Sequence, residues 1–288
     1  MVRGLSQARP DEELDPRIRV AFSGESREWA RLRTGTDPAW AAEYFARFFH
    51  RPLSRKLGAL GQLDALECAS GYGLNAISFV LSGGRSVRGF DLTPERVDFA
   101  NELAERLGLG DRAHFEVADI FRLPELRASV VFTLQTLEHI PRPLEALAGL
   151  AERAERAVVL STPNRLFVRD GHDTGLFFAH WLPDELRARY AQLRGAPHHQ
   201  LCHFLSPGEI TETLSEFALV TRTYNFDTLD EWLSQYPCYF PYGAGGGTWL
   251  PARATTRRWR AAAAVVRVFG ANARLLAPMN EGIYVRRS

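Results

Sequence analysis

Leu66-Glu67-Cys68-Ala69-Ser70-Gly71-Tyr72-Gly73 is the stretch on which the fold of this chain turns. A short apolar run, Ala65–Ala69, meets two glycines and then a helical pattern, which marks a strand-to-helix junction. Glycines there let the backbone approach a ligand closely, and the helix that follows offers free N–H groups and a positive dipole end. Taken alone, the turn also has a purely structural meaning as a tight bend. Working outward, the next strand, Ser86–Asp91, ends in an acid twenty residues after Gly71. A carboxylate at that edge is placed to accept hydrogen bonds from both hydroxyls of a ribose. The third strand, Ala113–Ala118, delivers Asp119 to the same rim. Either Asp could simply cap a helix. Three consecutive strands sending an acid or a glycine turn to one edge point instead to an adenosine-containing ligand.

The rhythm continues through Ser129–Leu134 and Ala157–Ser161, with amphipathic helices between the strands. One opens at Thr93-Pro94-Glu95, carries Val97, Ala100, Leu103, Ala104 and Leu107 on one face, and stops at Gly108. The helix before Ala157 is expected to bury Leu144, Leu147, Ala148 and Ala151. Five such repeats imply an α/β fold with a parallel, doubly wound sheet whose ligand edge gathers the loops after the strands. Residues 1–36 look partly loose, and residues 37–60 look helical, capped by Asp37 and interrupted at Pro52. Ser206-Pro207-Gly208-Glu209 is a capping box that opens a helix, and Leu219–Phe226 and Gly282–Arg287 alternate like strands. The expected organisation is an N-terminal helical cap over 1–60, a catalytic domain over 61–226 plus 281–288, and an insertion or lid over 227–280.

Composition narrows the class. The chain has 288 residues, 45% hydrophobic and 24% charged, with a net charge of +1, which fits an ordinary globular protein rather than a nucleic-acid binder with a basic excess. No apolar stretch is long enough for a transmembrane helix, and the charged N-terminus lacks a signal-peptide core, so a cytoplasmic location is expected. Cys68, Cys202 and Cys238 are too scattered for a disulfide framework. No HxH or HExxH pattern points to a metal, although His172-Asp173 keeps one conceivable. No oligomeric state is implied.

NAD is the first rival ligand, because Gly71-x-Gly73-x-x-Ala76 also satisfies the dinucleotide fingerprint. Glu67 speaks against it. At the end of the first strand its negative charge would oppose a pyrophosphate and welcome an ammonium or sulfonium. Nor does the chain close with a second mononucleotide-binding half.

Leu66–Gly73 resembles the first motif of class I S-adenosylmethionine-dependent methyltransferases, with Ala69 where that family usually has its first glycine. Gly89-Phe90-Asp91-Leu92-Thr93-Pro94-Glu95 is similar to the second-strand motif, and Val117-Ala118-Asp119 to the adenine-side acid. Gln135-Thr136-Leu137-Glu138-His139-Ile140 and Ser161-Thr162-Pro163-Asn164 resemble the branch that includes ubiquinone-type O-methyltransferases. The resemblance implies a Rossmann-like seven-stranded sheet, mostly parallel with an antiparallel last strand, capped by N-terminal helices and carrying an insertion before that strand. It implies S-adenosylmethionine as cofactor, with Glu67, Ala69, Gly71 and Gly73 around the methionine part, Asp91 and Leu92 at the ribose, Asp119 and Ile120 at the adenine, and Gln135 nearby. A cofactor-binding protein without catalysis is the non-enzyme alternative.

The implied reaction is methyl transfer to a small-molecule or saccharide acceptor, at oxygen more than nitrogen. A hydroxyl acceptor benefits from a general base, for which histidine suits neutral pH. His139 and His172 are the catalytic candidates. His180, His203, Trp232, Tyr236 and Tyr239 are the substrate-binding candidates, the aromatics suiting a lid over the acceptor. Their plainer alternatives are surface histidines and a small satellite core.

Overall fold

The computed structural model describes residues 11–170, 173–196, 202–234, 238–241, 247–250, 257–269, 275 and 277–288. Along the chain come α1 (Pro16–Ala21), α2 (Glu25–Thr34), α3 (Pro38–Phe45), a π-helical turn (Ala46–His50) and α4 (Arg51–Leu57). Then β1 (Asp64–Cys68), α5 (Leu74–Leu81), β2 (Ser86–Asp91), α6 (Pro94–Arg106) and β3 (Ala113–Val117) alternate. β4 (Ala128–Leu134), α7 (Pro143–Arg153), β5 (Ala154–Pro163), α8 (Asp184–Leu193), α9 (Pro207–Thr213) and β6 (Phe217–Leu219) follow. The chain closes with α10 (Leu229–Ser234), a short hairpin of β7 (Cys238–Phe240) and β8 (Thr248–Leu250), α11 (Arg257–Phe269) and β9 (Met279–Arg286). The seven-stranded sheet has the order β3-β2-β1-β4-β5-β9-β6. No helix among the described residues is long and apolar enough to cross a membrane.

Two compact units divide the chain: Met1–Arg122 with Asp230–Arg260, and Leu123–Leu229 with Ala261–Ser288. In the first, β1 and β2 pair in parallel, as do β2 and β3. Residues 16–21 and 25–34 are helical, where the expectation for 1–36 was a partly loose segment. Ile18 and Phe22 are fully buried, and Trp29 stacks on Phe99 of α6 at 4.8 Å with the guanidiniums of Arg33 and Arg106 each 4.4 Å from its ring. Ring stacking and two cation–π contacts on one aromatic ring help to dock so polar a sequence. Asp37 caps α3 by accepting from Ala39 N and Trp40 N. The helical stretch is interrupted just before Pro52, by the π-helical turn Ala46–His50, and Pro52 sits in the first turn of α4.

In the second unit β4 and β5 are parallel, while β9 runs antiparallel to both β5 and β6. The expected pairing of the last two strands is therefore present, but β6 covers only Phe217–Leu219 rather than Leu219–Phe226. Beyond it the chain turns back on itself, with Thr223 N and Phe226 N exchanging backbone bonds. α7 is also rotated from expectation: Ala146, Leu147, Leu150 and Ala151 are buried, whereas Ala148 faces water and Leu144 is half-exposed. The capping box at Ser206 is complete, with Ser206 Oγ accepting from Glu209 N and Glu209 Oε2 accepting from Ser206 N.

Candidate active site

The turn after β1 is built from left-handed residues. Ala69, Gly71 and Gly73 have φ of 54°, 55° and 69°. The two glycines serve different ends. A Cβ on Gly73 would fall 2.7 Å from the Phe115 ring and 2.9 Å from Ala100, so this glycine is required by packing. A Cβ on Gly71 would meet nothing within 4 Å, so open space lies over that backbone, as a ligand cradle requires. Ala69 adopts a glycine-like backbone without being glycine, a strained choice for a residue with a Cβ.

Asp91 at the end of β2 is nearly buried, and its two oxygens each take one backbone N–H: Oδ2 from Gly71 at 2.8 Å and Oδ1 from Thr93 at 2.9 Å. These bonds fix the carboxylate and leave each oxygen a further lone pair, which suits a pair of ribose hydroxyls. Leu92 beside it is 68% exposed, an apolar surface with no packing role in the first unit. Asp119 is half-buried and accepts from Phe121 N at 3.0 Å, the local capping bond its plainer alternative anticipates; Ile120 next to it is half-exposed.

Glu67 is the buried acid beside this turn. It is 5% exposed, its Oε1 accepts from Asn75 Nδ2 at 2.8 Å, and its Oε2 is buried with no hydrogen-bond partner. Burial pushes its carboxyl up to about 8, only partly offset by the bonds from Asn75 and the Ala76 amide, and the charge of Asp91 adds to the rise. Ser70 Oγ is likewise buried and unpartnered. A buried carboxyl oxygen with no donor fits a ligand that brings an ammonium. The residues present thus fit S-adenosylmethionine.

In the second unit Gln135, also left-handed at φ 54°, donates through its backbone N to Ser161 O and through Nε2 to Ser161 Oγ. His139 ends a short 3-10 turn and is exposed. Its neighbour Glu138, passed over by the sequence reasoning, is fully buried and accepts from Thr162 Oγ1 at 3.0 Å, with burial pushing its carboxyl up to about 7. The signal was present: an acid inside the apolar run Leu137-Glu138-His139-Ile140. His180 and His203 line one cavity of about 460 Å³, together with Arg142, Arg165 and Arg187. His180 Nε2 lies 3.0 Å from Arg165 O, its Nδ1 is buried without a partner, and burial lowers its pKa. His203 is exposed and donates its backbone N–H to Glu138 O.

Trp232 and Tyr239 are both buried in the first unit. Tyr239 OH accepts from Asp37 N at 3.1 Å, and the neighbouring Phe240 meets Tyr44 edge-on at 5.8 Å, so this part of the insertion packs on α3. His172 and Tyr236 lie outside the described residues.

A family model described as a methyltransferase domain matches residues 65–156, the span that runs from β1 into β5. No curated protein matches the chain. Among solved structures, magnesium protoporphyrin IX methyltransferase from Synechocystis with bound S-adenosylhomocysteine is 15% identical, with a TM-score of 0.48 over 94% of this chain and 93% of that one. A geranyl diphosphate methyltransferase in complex with S-adenosylmethionine is 14% identical, with a TM-score of 0.47 over 91% and 90%. The strand order and the acid and glycine positions agree with the matched family model: residues 65–156 resemble the methyltransferase domain of S-adenosylmethionine-dependent enzymes.

Proposed function

We propose that this enzyme transfers the methyl group to a hydroxyl of a small, oxygen-rich acceptor, with saccharides as the favoured class. The observation that carries this reading is the polar cavity of the second unit, where two histidines and three arginines supply hydrogen-bonding groups in number. The arginines are paired with carboxylates of the same cavity, Arg142 with Glu145, Arg165 with Glu209 and Arg187 with Asp184. The groups an apolar acceptor would leave unsatisfied are therefore His180 Nδ1 and Arg187 Nε, both buried without a partner, at a cost of about 1–3 kcal/mol each.

S-adenosylmethionine supplies an activated methyl on a good leaving group, so the protein's part is alignment, exclusion of water and management of one proton. Glu67 and Asp91 hold and orient the cofactor's charged and hydroxylated parts. The proton of the acceptor hydroxyl needs a base. His180 is suited to it: with Nε2–H given to the Arg165 carbonyl, Nδ1 keeps its lone pair, and burial keeps the ring neutral at pH 7. His139 and His172 are the other bases to test, and His203 an acceptor contact.

The test is turnover on a panel of sugars, sugar acids, phenols and amines, read as S-adenosylhomocysteine released. Sugar hydroxyls are expected to be methylated, and His180→Ala to lower kcat by about a hundredfold or more while S-adenosylhomocysteine affinity holds. Turnover confined to amines or flat apolar phenols would overturn the reading.

A further inference from the structure

We infer that His50, on the π-helical turn outside the matched methyltransferase domain, is a positioning residue that sets Glu67 for the cofactor's ammonium through Asn75. The inference rests on the assignment of Glu67 to that ammonium. His50 is fully buried, and its two ring nitrogens face different partners. Nε2 lies 3.0 Å from Asn75 Oδ1, while Nδ1 lies 3.3 Å from Ser82 Oγ and 3.4 Å from Ser78 Oγ. Ser78 commits its proton to Ala42 O at 2.6 Å. Asn75 commits its Nδ2 to Glu67 Oε1 at 2.8 Å, so its Oδ1 must accept.

Asn75 orients one end of this chain. A neutral imidazole carries one N–H. Placed on Nε2 it satisfies Asn75 Oδ1, and His50 Nε2–H and Asn75 Nδ2–H then point the same way, toward Glu67 Oε1. The Nδ1 side is held by the Ser82 and Ser78 hydroxyls and the Ser78 backbone. Hydrogen bonds aligned head to tail polarise one another. The chain therefore presents a reinforced donor to one oxygen of Glu67 and leaves the other, Oε2, for the ligand. Burial keeps His50 neutral, at about 3, so it adds no competing charge. The turn that carries it, Ala46–His50, is a π-helical stretch, a form that recurs at functional sites.

Its neighbours define how firmly it is placed. Glu43 of α3 is buried and takes hydrogen bonds from Arg47 Nε at 2.5 Å, Arg51 at 2.9 Å and Asp15 N at 2.8 Å. Those bonds lock both sides of the π turn. Phe79 packs its ring edge against the imidazole with centroids 5.6 Å apart. The N-terminal helices thereby reach the cofactor acid through a wire of side chains.

Calorimetry with two probes separates positioning from folding. S-adenosylhomocysteine carries the ammonium, whereas 5′-methylthioadenosine lacks the amino-acid part. His50→Leu, and His50→Asn, whose shorter amide falls short of Asn75, are expected to weaken S-adenosylhomocysteine about tenfold. Both should leave methylthioadenosine within about twofold, an additive-independence margin. His50→Gln, whose amide N–H reaches the Nε2 position, should restore S-adenosylhomocysteine to within about threefold. If either deleterious variant weakens both probes alike, or if His50→Gln fails to rescue, His50 is a packing residue and the inference is overturned. Glu67→Gln is the control for the underlying assignment: it should selectively weaken S-adenosylhomocysteine. If Glu67→Gln leaves that affinity intact, the assignment of the ammonium fails; if it is selective while His50→Asn binds like wild type, only the relay fails.

Discussion

Glu67 makes binding depend on pH. With its carboxyl raised to about 8, the free protein at neutral pH holds it largely protonated, and an incoming ammonium must drive that proton off. Affinity for S-adenosylhomocysteine should therefore tighten from about pH 6 to about pH 8 and then level, with proton release visible in buffers of differing ionisation heat. Glu67→Gln should flatten the profile; an unflattened one would assign the titration elsewhere. The sign for stability is opposite. The folded value lies above the unfolded 4.5, so the free protein loses stability as pH rises from there through about 8, and a bound ammonium removes that loss. Ala69 permits a second residue-scale test. Its φ of 54° makes Ala69→Gly stabilising by about 1 kcal/mol in denaturant unfolding, because the substitution relieves a left-handed Cβ clash; a loss of stability would mean that the alanine methyl packs usefully. Among these residues the glycines, Glu67 and Asp91 were legible from position alone. The His50 relay was not, since its partners lie 25 and 28 positions away and nothing in a lone buried histidine names them.

At the scale of elements, strands that deliver site residues were read closely, because buried parallel strands are short apolar runs ending at glycine or acid. β2 agrees at both ends, and β1 and β3 within one residue. α7 and β6 were misread for definable reasons. On α7 three alanines alternate with three leucines around the helix, so periodicity alone does not fix which stripe faces inward, and Leu150 with Ala146 decided it. Beyond Leu219 alternation continues, but Thr221 Oγ1 accepts from Ile283 N and the chain turns back at Thr223–Phe226 instead of extending the ladder. Within the helical cap expected over 1–60, α1 and α2 were read as partly loose because they are polar, with only Ile18 and Ala30 buried and with Trp29 stacked on Phe99 and contacted by two arginines. Trp29→Ala should accordingly lower unfolding free energy by about 2 kcal/mol, combining lost stacking with two cation–π contacts. A change under about 0.5 kcal/mol, typical of surface substitutions, would show α2 to be loosely held.

For the molecule as a whole, the methyltransferase-domain match covers residues 65–156. Of the insertion expected over 227–280, Asp230–Arg260 belong to the same compact unit as α1–α4, and Tyr239 packs there on α3. Tyr239→Phe, by removing the acceptor of the Asp37 amide, should therefore cost about 1 kcal/mol of stability with kcat unchanged; a drop in kcat without destabilisation would return Tyr239 to the acceptor site. The central claim is that the ends of β1 and β2 hold S-adenosylmethionine, and calorimetric titration of S-adenosylhomocysteine into wild type and Asp91→Ala tests it most directly. The account predicts one molecule bound per wild-type chain, no binding of NAD, and a folded variant weakened by about 1.5–3 kcal/mol, the range for hydrogen bonds to a charged group. Undiminished affinity in folded Asp91→Ala, or NAD bound in place of S-adenosylhomocysteine, would contradict it.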